Sequence, residues 1–339
     1  MSIIQVENLS KRFRVARKQP GLAGAFRALI RPAYEEKTAV GGISFAVAPG
    51  EIVGYIGVNG AGKSTTIKML TGILLPTGGQ VRVMGRDPYR QRVANARAIG
   101  VVFGQRSQLW WDLALIESLD LLARIYELPP ARYRERLALF SDLLDLGDLL
   151  RKPVRTMSLG QKMRAELAAA LLHDPRIVYL DEPTIGLDLV VKERIRAFIR
   201  QVNRESGTTV LLTTHDLGDI EDLCRRVLII DSGSLLYDGP LQAIQERFGQ
   251  HRLLTCETTG AVGTLALPEG AELVEAAERR LVVRFERSRL TASQVAQAIM
   301  TQVDLVDFQL REPDLASVIR QIYGGALASR RPDREGAAL

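Results

Sequence analysis

The sequence predicts an α/β fold, and three observations support that prediction. Short apolar runs of strand length alternate with segments of helical periodicity along much of the chain. A glycine-rich loop, residues 57–64, stands between an apolar run and a helix-like segment that begins at Ser64. Two later runs, residues 177–180 and 210–212, are apolar throughout, a pattern typical of parallel strands that are buried on both faces. We therefore expect parallel strands with helices between and around them.

Apolar runs and turn-forming residues place the remaining elements in order. Pro49 and Gly50 turn the chain into the strand before the glycine-rich loop, and residues 231–233 join two strands as a hairpin. Residues 115–150 have helical periodicity, with Pro129 and Pro130 separating two helices. The predicted strands cover residues 3–13, 43–48, 52–56, 80–84, 99–103, 177–180, 210–212, 226–230, 234–237, 252–257, 271–274 and 281–286, and two late helices cover residues 292–300 and 314–323.

The chain is long enough for one large domain and one smaller domain. Residues 1–248 are assigned to the first domain, with a helical subdomain over about residues 106–165 and a basic insertion over residues 14–38. Residues 250–323 are predicted to form a small α/β accessory domain. Residues 324–339 are rich in Ala, Arg, Pro and Gly, and we expect them to be a disordered tail.

The composition is that of a globular protein. Of 339 residues, 46% are apolar and 25% are charged, no apolar run approaches the length of about 18 residues that spans a membrane, and the N-terminus lacks an export signal. We expect a cytoplasmic protein unless a partner holds it at a membrane. The net charge is +6, with much of the excess in the insertion, which is compatible with anionic lipid, an acidic partner or nucleic acid. Cys224 and Cys256 lack metal-ligand spacing and are predicted to be buried thiols.

The glycine-rich loop has the pattern G-x-x-x-x-G-K-S, which predicts a phosphate-binding site. Its glycines allow backbone N–H groups to curl around phosphate oxygens, and the following helix turns its positive end toward the same anion. Lys63 is expected to reach the β and γ phosphates, and Ser64 offers a hydroxyl to Mg²⁺. The predicted phosphate-binding residues are Gly57, Asn59, Gly60, Ala61, Gly62, Lys63, Ser64 and Thr65.

Polar residues also follow the two later apolar runs. Asp181 and Glu182 end the first run, and in a parallel sheet that end lies beside the phosphate loop. Asp181 is therefore a candidate Mg²⁺ ligand, and Glu182 a candidate base for an attacking water. His215 follows the second run after two threonines, and it is placed to donate a hydrogen bond to the γ phosphate.

Residues 157–161, Met-Ser-Leu-Gly-Gln, resemble the signature sequence LSGGQ of the ATPase subunits of ATP-binding cassette (ABC) transporters. They lie upstream of Asp181 at the family's usual separation. Leu159 stands where the family has its first Gly, which removes a close backbone approach that Gly permits, and Met157 for Leu is a milder departure. The resemblance implies a P-loop NTPase core with an antiparallel β subdomain, an inserted helical subdomain and a small C-terminal α/β domain.

The resemblance also implies roles for residues outside the loop. ATP would lie between two copies of the chain arranged head to tail, with contacts from the opposite copy made by Ser158, Leu159, Gly160, Gln161 and Asp188. Phe13 matches the residue that stacks on adenine, and Gln105 the residue that senses Mg²⁺ and water. Catalysis is assigned to Glu182, His215, Gln105 and Lys63, and Mg²⁺ binding to Ser64, Gln105 and Asp181.

One cassette without a fused membrane span, together with the C-terminal residues 308–323, resembles the ATP-binding subunits of daunorubicin-resistance exporters. Residues 105–112 are similar to a branch of viologen-type exporters. These resemblances imply ATP and Mg²⁺ as cofactors, integral membrane permease subunits as partners, and a peripheral position on the cytoplasmic face of the membrane. Phe26, Leu29 and Ile30 in the insertion suggest contact with the partner, and Arg27 and Arg31 with anionic lipid; a solvated loop is the alternative.

Three other functions stay open. A soluble ABC ATPase acting on nucleic acid or ribosomes is disfavoured because such proteins usually fuse two cassettes, so nucleic acid is not the expected partner. A non-catalytic regulatory cassette is disfavoured by intact Lys63, Glu182 and His215. An importer subunit also remains open, because transport direction depends on a separate membrane protein.

Overall fold

The computed structural model describes residues 2–16, 34–104, 106–214, 216–248, 251–260, 265–311, 315, 319 and 322. The chain divides into two compact units, Met1–Asp238 and Gly239–Leu339. The sequence-based boundary at residues 248–250 is ten residues later, because the helix Leu241–Phe248 belongs to the second unit. Within the described residues, each helix is too short or too polar to cross a membrane.

A six-stranded sheet forms the centre of the first unit. Its strand order is β5-β6-β7-β3-β8-β9, and the pairs β5/β6, β6/β7, β7/β3 and β3/β8 are parallel. Strands β6 and β7 are almost entirely buried, as predicted for strands covered on both faces. The strands are β3 Ile52–Gly57, β5 Ile99–Phe103, β6 Ile177–Asp181, β7 Thr209–Thr213, β8 Arg226–Asp231 and β9 Ser234–Pro240.

A second, antiparallel sheet has the order β2-β1-β4 and is built from β1 Ile4–Ala16, β2 Tyr34–Val47 and β4 Gly78–Val83. Its inward-facing side chains, which include Ile4, Val6 and Val40, join a core that also contains Tyr55 of β3. Strands β1 and β2 run further than predicted, so residues 14–16 and 34–38 of the proposed insertion are strand. Arg14 lies opposite Glu36 in this ladder, and their opposite charges favour the extension. The predicted helix at residues 21–31 lies outside the described residues.

Helices surround the six-stranded sheet. They are α1 Lys63–Leu70, α2 Arg92–Ala96, α3 Leu115–Ile125, α4 Pro130–Leu143, α5 Leu159–Leu171, α6 Leu189–Ser206 and α7 Leu217–Leu223. Pro129 and Pro130 separate α3 from α4 as predicted, because proline is tolerated at the start of a helix but not inside one. The edge-to-face contact of Phe140 with Phe198, at 5.2 Å between ring centres, packs α4 against α6.

The second unit contains an antiparallel sheet of order β11-β12-β10-β13. Its core joins the sheet to one helix through Leu254, Val283, Phe285, Val295 and Ile299. Sequence patterning missed the last strand, although Val306, Phe308 and Leu310 alternate with polar residues along it. These apolar side chains are exposed rather than buried in the core. The elements are α8 Leu241–Phe248, β10 His251–Thr258, β11 Ala271–Ala277, β12 Arg280–Glu286, α9 Ala292–Met300 and β13 Leu305–Arg311. The predicted helix at 314–323 and the tail lie mostly outside the described residues.

Candidate functional site

The phosphate loop connects β3 to α1 and needs glycine at several positions. Gly62 caps α1 with φ 110°, a left-handed conformation, and an added Cβ would lie 2.5 Å from the carbonyl oxygen of Ala39 on β2. A Cβ at Gly57 would lie 2.7 Å from a side-chain carbon of Ile230. The first helical hydrogen bond runs from Thr66 N to Gly62 O at 2.9 Å. The backbone N–H groups of residues 63–65 precede this bond and lie outside the helical ladder, so they are available to an anion.

The turn between β8 and β9 supports the loop from the sheet side. Gly233 donates its backbone N–H to the carbonyl of Ala61 at 2.9 Å, and its own carbonyl accepts from Gly41 N at 2.8 Å. Ser232 and Gly233 both have positive φ, as a tight two-residue hairpin turn requires. Sequence reasoning predicted this hairpin but gave no signal that its turn braces the phosphate loop.

Lys63 is the charged residue of the loop, and its ammonium group is buried. Its Nζ donates to the carbonyl of Gly57 at 2.5 Å, with Val58 O at 3.4 Å. Burial lowers the pKa of Lys63, while Glu182 and Asp181 oppose that change by favouring the charged form. A buried cation held by carbonyl oxygens and two nearby carboxylates is suited to exchange those contacts for phosphate oxygens.

Asp181, at the end of β6, meets the phosphate loop across the end of β7. Ser64 Oγ donates to Asp181 Oδ2 at 3.0 Å, and Thr213 Oγ1 donates to Asp181 Oδ1 at 2.6 Å. Parallel strands bring their carboxyl ends to one edge of the sheet, which explains a contact between residues that are 117 positions apart. Sequence reasoning predicted the Asp181 position but missed Thr213, whose hydroxyl orients the carboxylate.

Glu182 follows Asp181 in an unusual backbone conformation. Its φ is 56°, in the left-handed region that non-glycine residues adopt at a cost of about 1 kcal/mol or more. Its backbone N–H donates to Thr213 O at 2.9 Å, with Thr213 Oγ1 at 3.2 Å. These contacts attach the strained turn to β7, so the carboxylate is presented from a fixed backbone.

A cleft of about 630 Å³ opens over this sheet edge. Its lining includes Asn59, Gly60, Ser64, Asp181 and Glu182. A hydroxyl and a carboxylate 3.0 Å apart are hard oxygen donors, which Mg²⁺ prefers, and this ion normally takes only one or two protein ligands beside phosphates and water. The described residues contain no group of three or more His, Cys, Asp or Glu side chains arranged for a metal, and a Mg²⁺ site of this kind needs none.

Ser158 begins helix α5 and caps it. Its Oγ accepts from Gln161 N at 3.3 Å, and the Gln161 side chain accepts from Ser158 N at 3.1 Å, a reciprocal capping box. Both Ser158 and Leu159 are exposed, Leu159 to 51%. A Cβ at Gly186 would lie 3.2 Å from Leu159 Cδ2, so the Leu159 side chain rests on the loop before α6. Asp188 caps α6 by accepting from Val191 N at 2.9 Å.

Phe13 lies on β1 opposite Lys37 of β2. Lys37 is two residues before Ala39, whose carbonyl oxygen lies beside Gly62 of the phosphate loop. The Phe13 ring is 37% exposed, and Lys11 Nζ lies 5.3 Å from the ring centre. The antiparallel sheet therefore brings a half-exposed aromatic ring to the side of the loop. This placement is compatible with stacking on a base.

Two predicted site residues, Gln105 and His215, lie outside the described residues. Their neighbours reach the same edge of the sheet. Gly104 donates its backbone N–H to Asp181 O at 3.1 Å, and Thr214 lies buried after β7. The roles of Gln105 and His215 thus remain predictions from sequence.

A buried carboxylate that sequence reasoning did not single out links the segment after Gln105 to helix α5. Glu166 accepts from Ser107 Oγ and, at 3.3 Å, from Gln108 N, while Gln108 Nε2 donates to the Glu166 carbonyl at 3.2 Å. Burial raises the pKa of Glu166. A lone Glu on an apolar helix face is the only sequence signal for this contact. The helix that begins at Ser158 is thereby attached to the segment that leads to the two tryptophans.

Trp110 and Trp111 follow this segment and are both exposed, Trp111 to 54%. Lys162 Nζ lies 4.4 Å from the Trp111 ring centre, a cation–π contact with helix α5. The Trp111 ring is therefore both attached to helix α5 and exposed.

Comparison with known proteins agrees with this geometry. Residues 40–185 match the family model described as "ABC transporter". The chain is similar to the linearmycin resistance ATP-binding protein LnrL of Bacillus subtilis, with 30% identity over 88% of this chain and 97% of that protein. It is 33% identical to the daunorubicin resistance ATP-binding protein DrrA3 of Streptomyces coeruleorubidus, over 86% of this chain and 93% of that protein.

A solved structure described as an ATP-binding subunit of an ABC transporter superposes with a TM-score of 0.61 at 27% identity. The superposition covers 73% of this chain and 94% of that one. The predicted α/β nucleotide-binding fold is therefore confirmed. The chain belongs to the ABC transporter family, as an ATP-binding and ATP-hydrolysing subunit.

Proposed function

We propose that this chain drives an exporter by hydrolysing ATP at the edge of its central sheet, where Ser64 Oγ and Asp181 Oδ2 lie 3.0 Å apart. That contact supports the proposal most directly, because it joins the phosphate loop to the carboxylate that follows β6. The phosphate loop and the end of β6, which are distant in sequence, can therefore act on the same triphosphate.

The residues of this chain have distinct tasks in the proposed reaction. Gly57, Asn59, Gly60, Ala61, Gly62 and Thr65 offer loop and helix N–H groups to phosphate oxygens, and Lys63 adds a positive charge. Ser64 and Asp181, with Gln105, are the proposed Mg²⁺ ligands; the bound ion would neutralise charge on the phosphates. Phe13 is proposed to stack on adenine.

Glu182 is the proposed base for the attacking water, and Gln105 and His215 are proposed to orient the reacting groups. The fixed, left-handed backbone at Glu182 supports this role, since strained conformations cluster where a side chain must be held in one direction. Phosphoryl transfer depends mainly on positioning and charge stabilisation, so a fixed carboxylate is more useful here than a mobile one.

We further propose that two copies assemble head to tail, with Ser158, Leu159, Gly160, Gln161 and Asp188 of one copy acting on ATP held by the other. Ser158 and Asp188 are both exposed residues at helix starts, so both side chains are accessible to a second copy. Leu159 and the loop before α6 touch each other, so these residues form one continuous surface.

Export through separate membrane subunits is the proposed outcome of this cycle, and it places the chain at the cytoplasmic face of the membrane. Two relatives that match over nearly their whole length are named for resistance to linearmycin and daunorubicin. Removal of a compound from the cell produces resistance to it, which favours an exporter over an importer. No observation favours the nucleic-acid or ribosome alternative.

Contact of the basic insertion with anionic lipid is a separate proposal. It rests on the sequence alone, because residues 17–33 lie outside the described residues. Deleting residues 18–33, which leaves strand β2 intact, and measuring binding to vesicles that contain anionic lipid tests it: weaker binding is expected, and unchanged binding would remove the proposal.

The catalytic proposal is tested with Glu182→Gln. This variant should bind ATP normally, hydrolyse it at least about a hundredfold more slowly and accumulate as a dimer of twice the 37.4 kDa chain mass. Wild-type turnover in the variant would refute the role of Glu182. Glu193→Gln, on the exposed surface of α6, is a matched control that should hydrolyse ATP like the wild type.

A further inference from the structure

A fully buried carboxylate, Asp219, lies on helix α7 behind the candidate site. It accepts hydrogen bonds from three side chains. Thr184 Oγ1 and Thr214 Oγ1 both donate to its Oδ2, the latter at 2.8 Å, and Arg196 Nε donates to its Oδ1 at 2.7 Å. A buried carboxylate without such partners would be costly, so this set of contacts is strongly constrained.

The two threonines belong to the two loops that carry the proposed reacting side chains. Thr184 lies two residues after Glu182, in the loop that follows β6. Thr214 is adjacent to His215, in the loop that follows β7, and its Oγ1 also accepts from Asp216 N at 2.9 Å. One oxygen of Asp219 therefore holds the loop after β6 and the loop after β7 at a fixed separation.

Arg196 fixes the carboxylate from the other side. Its guanidinium reaches Asp219, Asp222 at 3.0 Å and Asp216 at 3.4 Å. Arg196 is itself nearly buried, whereas the Asp222 side chain is 45% exposed. Because planar guanidinium donors have fixed directions, Asp219 cannot turn without breaking a buried ion pair.

We propose that Asp219 is a positioning residue for hydrolysis, which sets the distance between the loop bearing Glu182 and the loop that leads to His215. It acts through Thr184 and Thr214 and touches neither ATP nor water. This inference rests on the proposed role of Glu182. Displacements of about 1 Å in a positioned group cost of the order of a hundredfold in rate, so a hydroxyl contact at this place has a measurable effect on turnover.

The test compares full-length variants in steady-state ATP hydrolysis. Asp219→Asn and Thr184→Val should each lower kcat by about tenfold or more while KM for ATP stays within about twofold. Thr184→Ser keeps the donor hydroxyl and should restore most of the lost kcat. Asp222→Asn is the matched control, because Asp222 pairs with the same Arg196 yet contacts neither loop, and its kcat should equal that of the wild type.

Thermal unfolding of each variant separates positioning from stability. If Thr184→Val and Thr184→Ser melt alike but only the valine variant loses kcat, the positioning role is supported. Equal kcat for wild type, Thr184→Val and Asp219→Asn would overturn the inference, and so would a loss shared by Asp222→Asn. If those variants are active while Glu182→Gln is inactive, the proposed function stands without the positioning role.

Discussion

His173 predicts a specific dependence of stability on pH. Its ring stacks on Tyr126 with 3.8 Å between ring centres, and its Nε2 lies 3.0 Å from the carbonyl oxygen of Ile99. Burial is the main cause that lowers the pKa of His173 from 6.5 to about 4. The folded protein therefore keeps this imidazole neutral at a pH where the unfolded chain is already protonated.

The sign follows from proton linkage. Between pH 6.5 and about 4 the unfolded state binds more protons at this residue than the folded state does, so stability falls as the pH falls. The pKa difference of His173 between the unfolded and the folded state corresponds to about 3 kcal/mol of stability, at about 1.4 kcal/mol for each pKa unit. Between pH 8 and pH 5 the expected loss from His173 is about 2 kcal/mol.

The assay compares wild type with His173→Gln, which removes the titration and keeps a donor for the Ile99 carbonyl. Urea unfolding is followed by tryptophan fluorescence, because the chain's two tryptophans, Trp110 and Trp111, both lie in the first unit with His173. The variant should be less stable at pH 8, by about 1 kcal/mol for the lost ring stacking. Its disadvantage should vanish or reverse at pH 5. Parallel stability curves for the two proteins from pH 8 to pH 5 would refute the reasoning.

Three more predictions concern the site. Glu166→Ala should lower the free energy of unfolding by about 2 kcal/mol in urea titrations, because Ser107 Oγ and Gln108 N both lose their acceptor; Glu166→Gln should lose less, and equal stability of the two variants would contradict this. Gly62→Ala should abolish ATP binding measured by calorimetry, since φ 110° and a strand carbonyl exclude a methyl group; normal affinity would show that the loop can relax. Leu159→Gly should speed ATP-dependent dimerisation, measured by light scattering. It should also make Gly186→Ala less destabilising by about 0.5 kcal/mol, because the added methyl group no longer meets the Leu159 side chain. If the double variant loses the sum of the two single losses in stability, this coupling is absent.

Much of the fold was predictable because periodicity and turn residues act locally. The buried runs at β6 and β7 and the proline pair between α3 and α4 needed no tertiary information. Strand β13 was missed although Val306, Phe308 and Leu310 alternate with polar residues, a local pattern that indicates a strand. Its pairing with β10, in contrast, is visible only in the folded sheet. Strand β1 was predicted to end at Phe13 because the pairing of residues 14–16 with residues 34–36 of β2 is not encoded locally in the sequence.

In the candidate site too, residues of a local motif were predictable and residues brought together only by folding were not. Residues within a short motif, such as Lys63 and Ser64, were predictable because the chemistry is encoded in consecutive positions. Thr213 and Asp219 were not, because their importance arises from distances that only the folded sheet creates. The strained backbone at Glu182 also has no signature in the sequence.

The central claim is that the site is completed by a second copy in head-to-tail orientation, and a cross-linking measurement tests it most directly. Two preparations in the Glu182→Gln background carry either Ser158→Cys or Asn59→Cys, both exposed positions, while the native Cys224 and Cys256 are buried. With ATP, Mg²⁺ and a short bismaleimide, only the mixture of the two should yield a covalent dimer. Dimers from each preparation alone, or none from the mixture despite ATP binding, would contradict the claim.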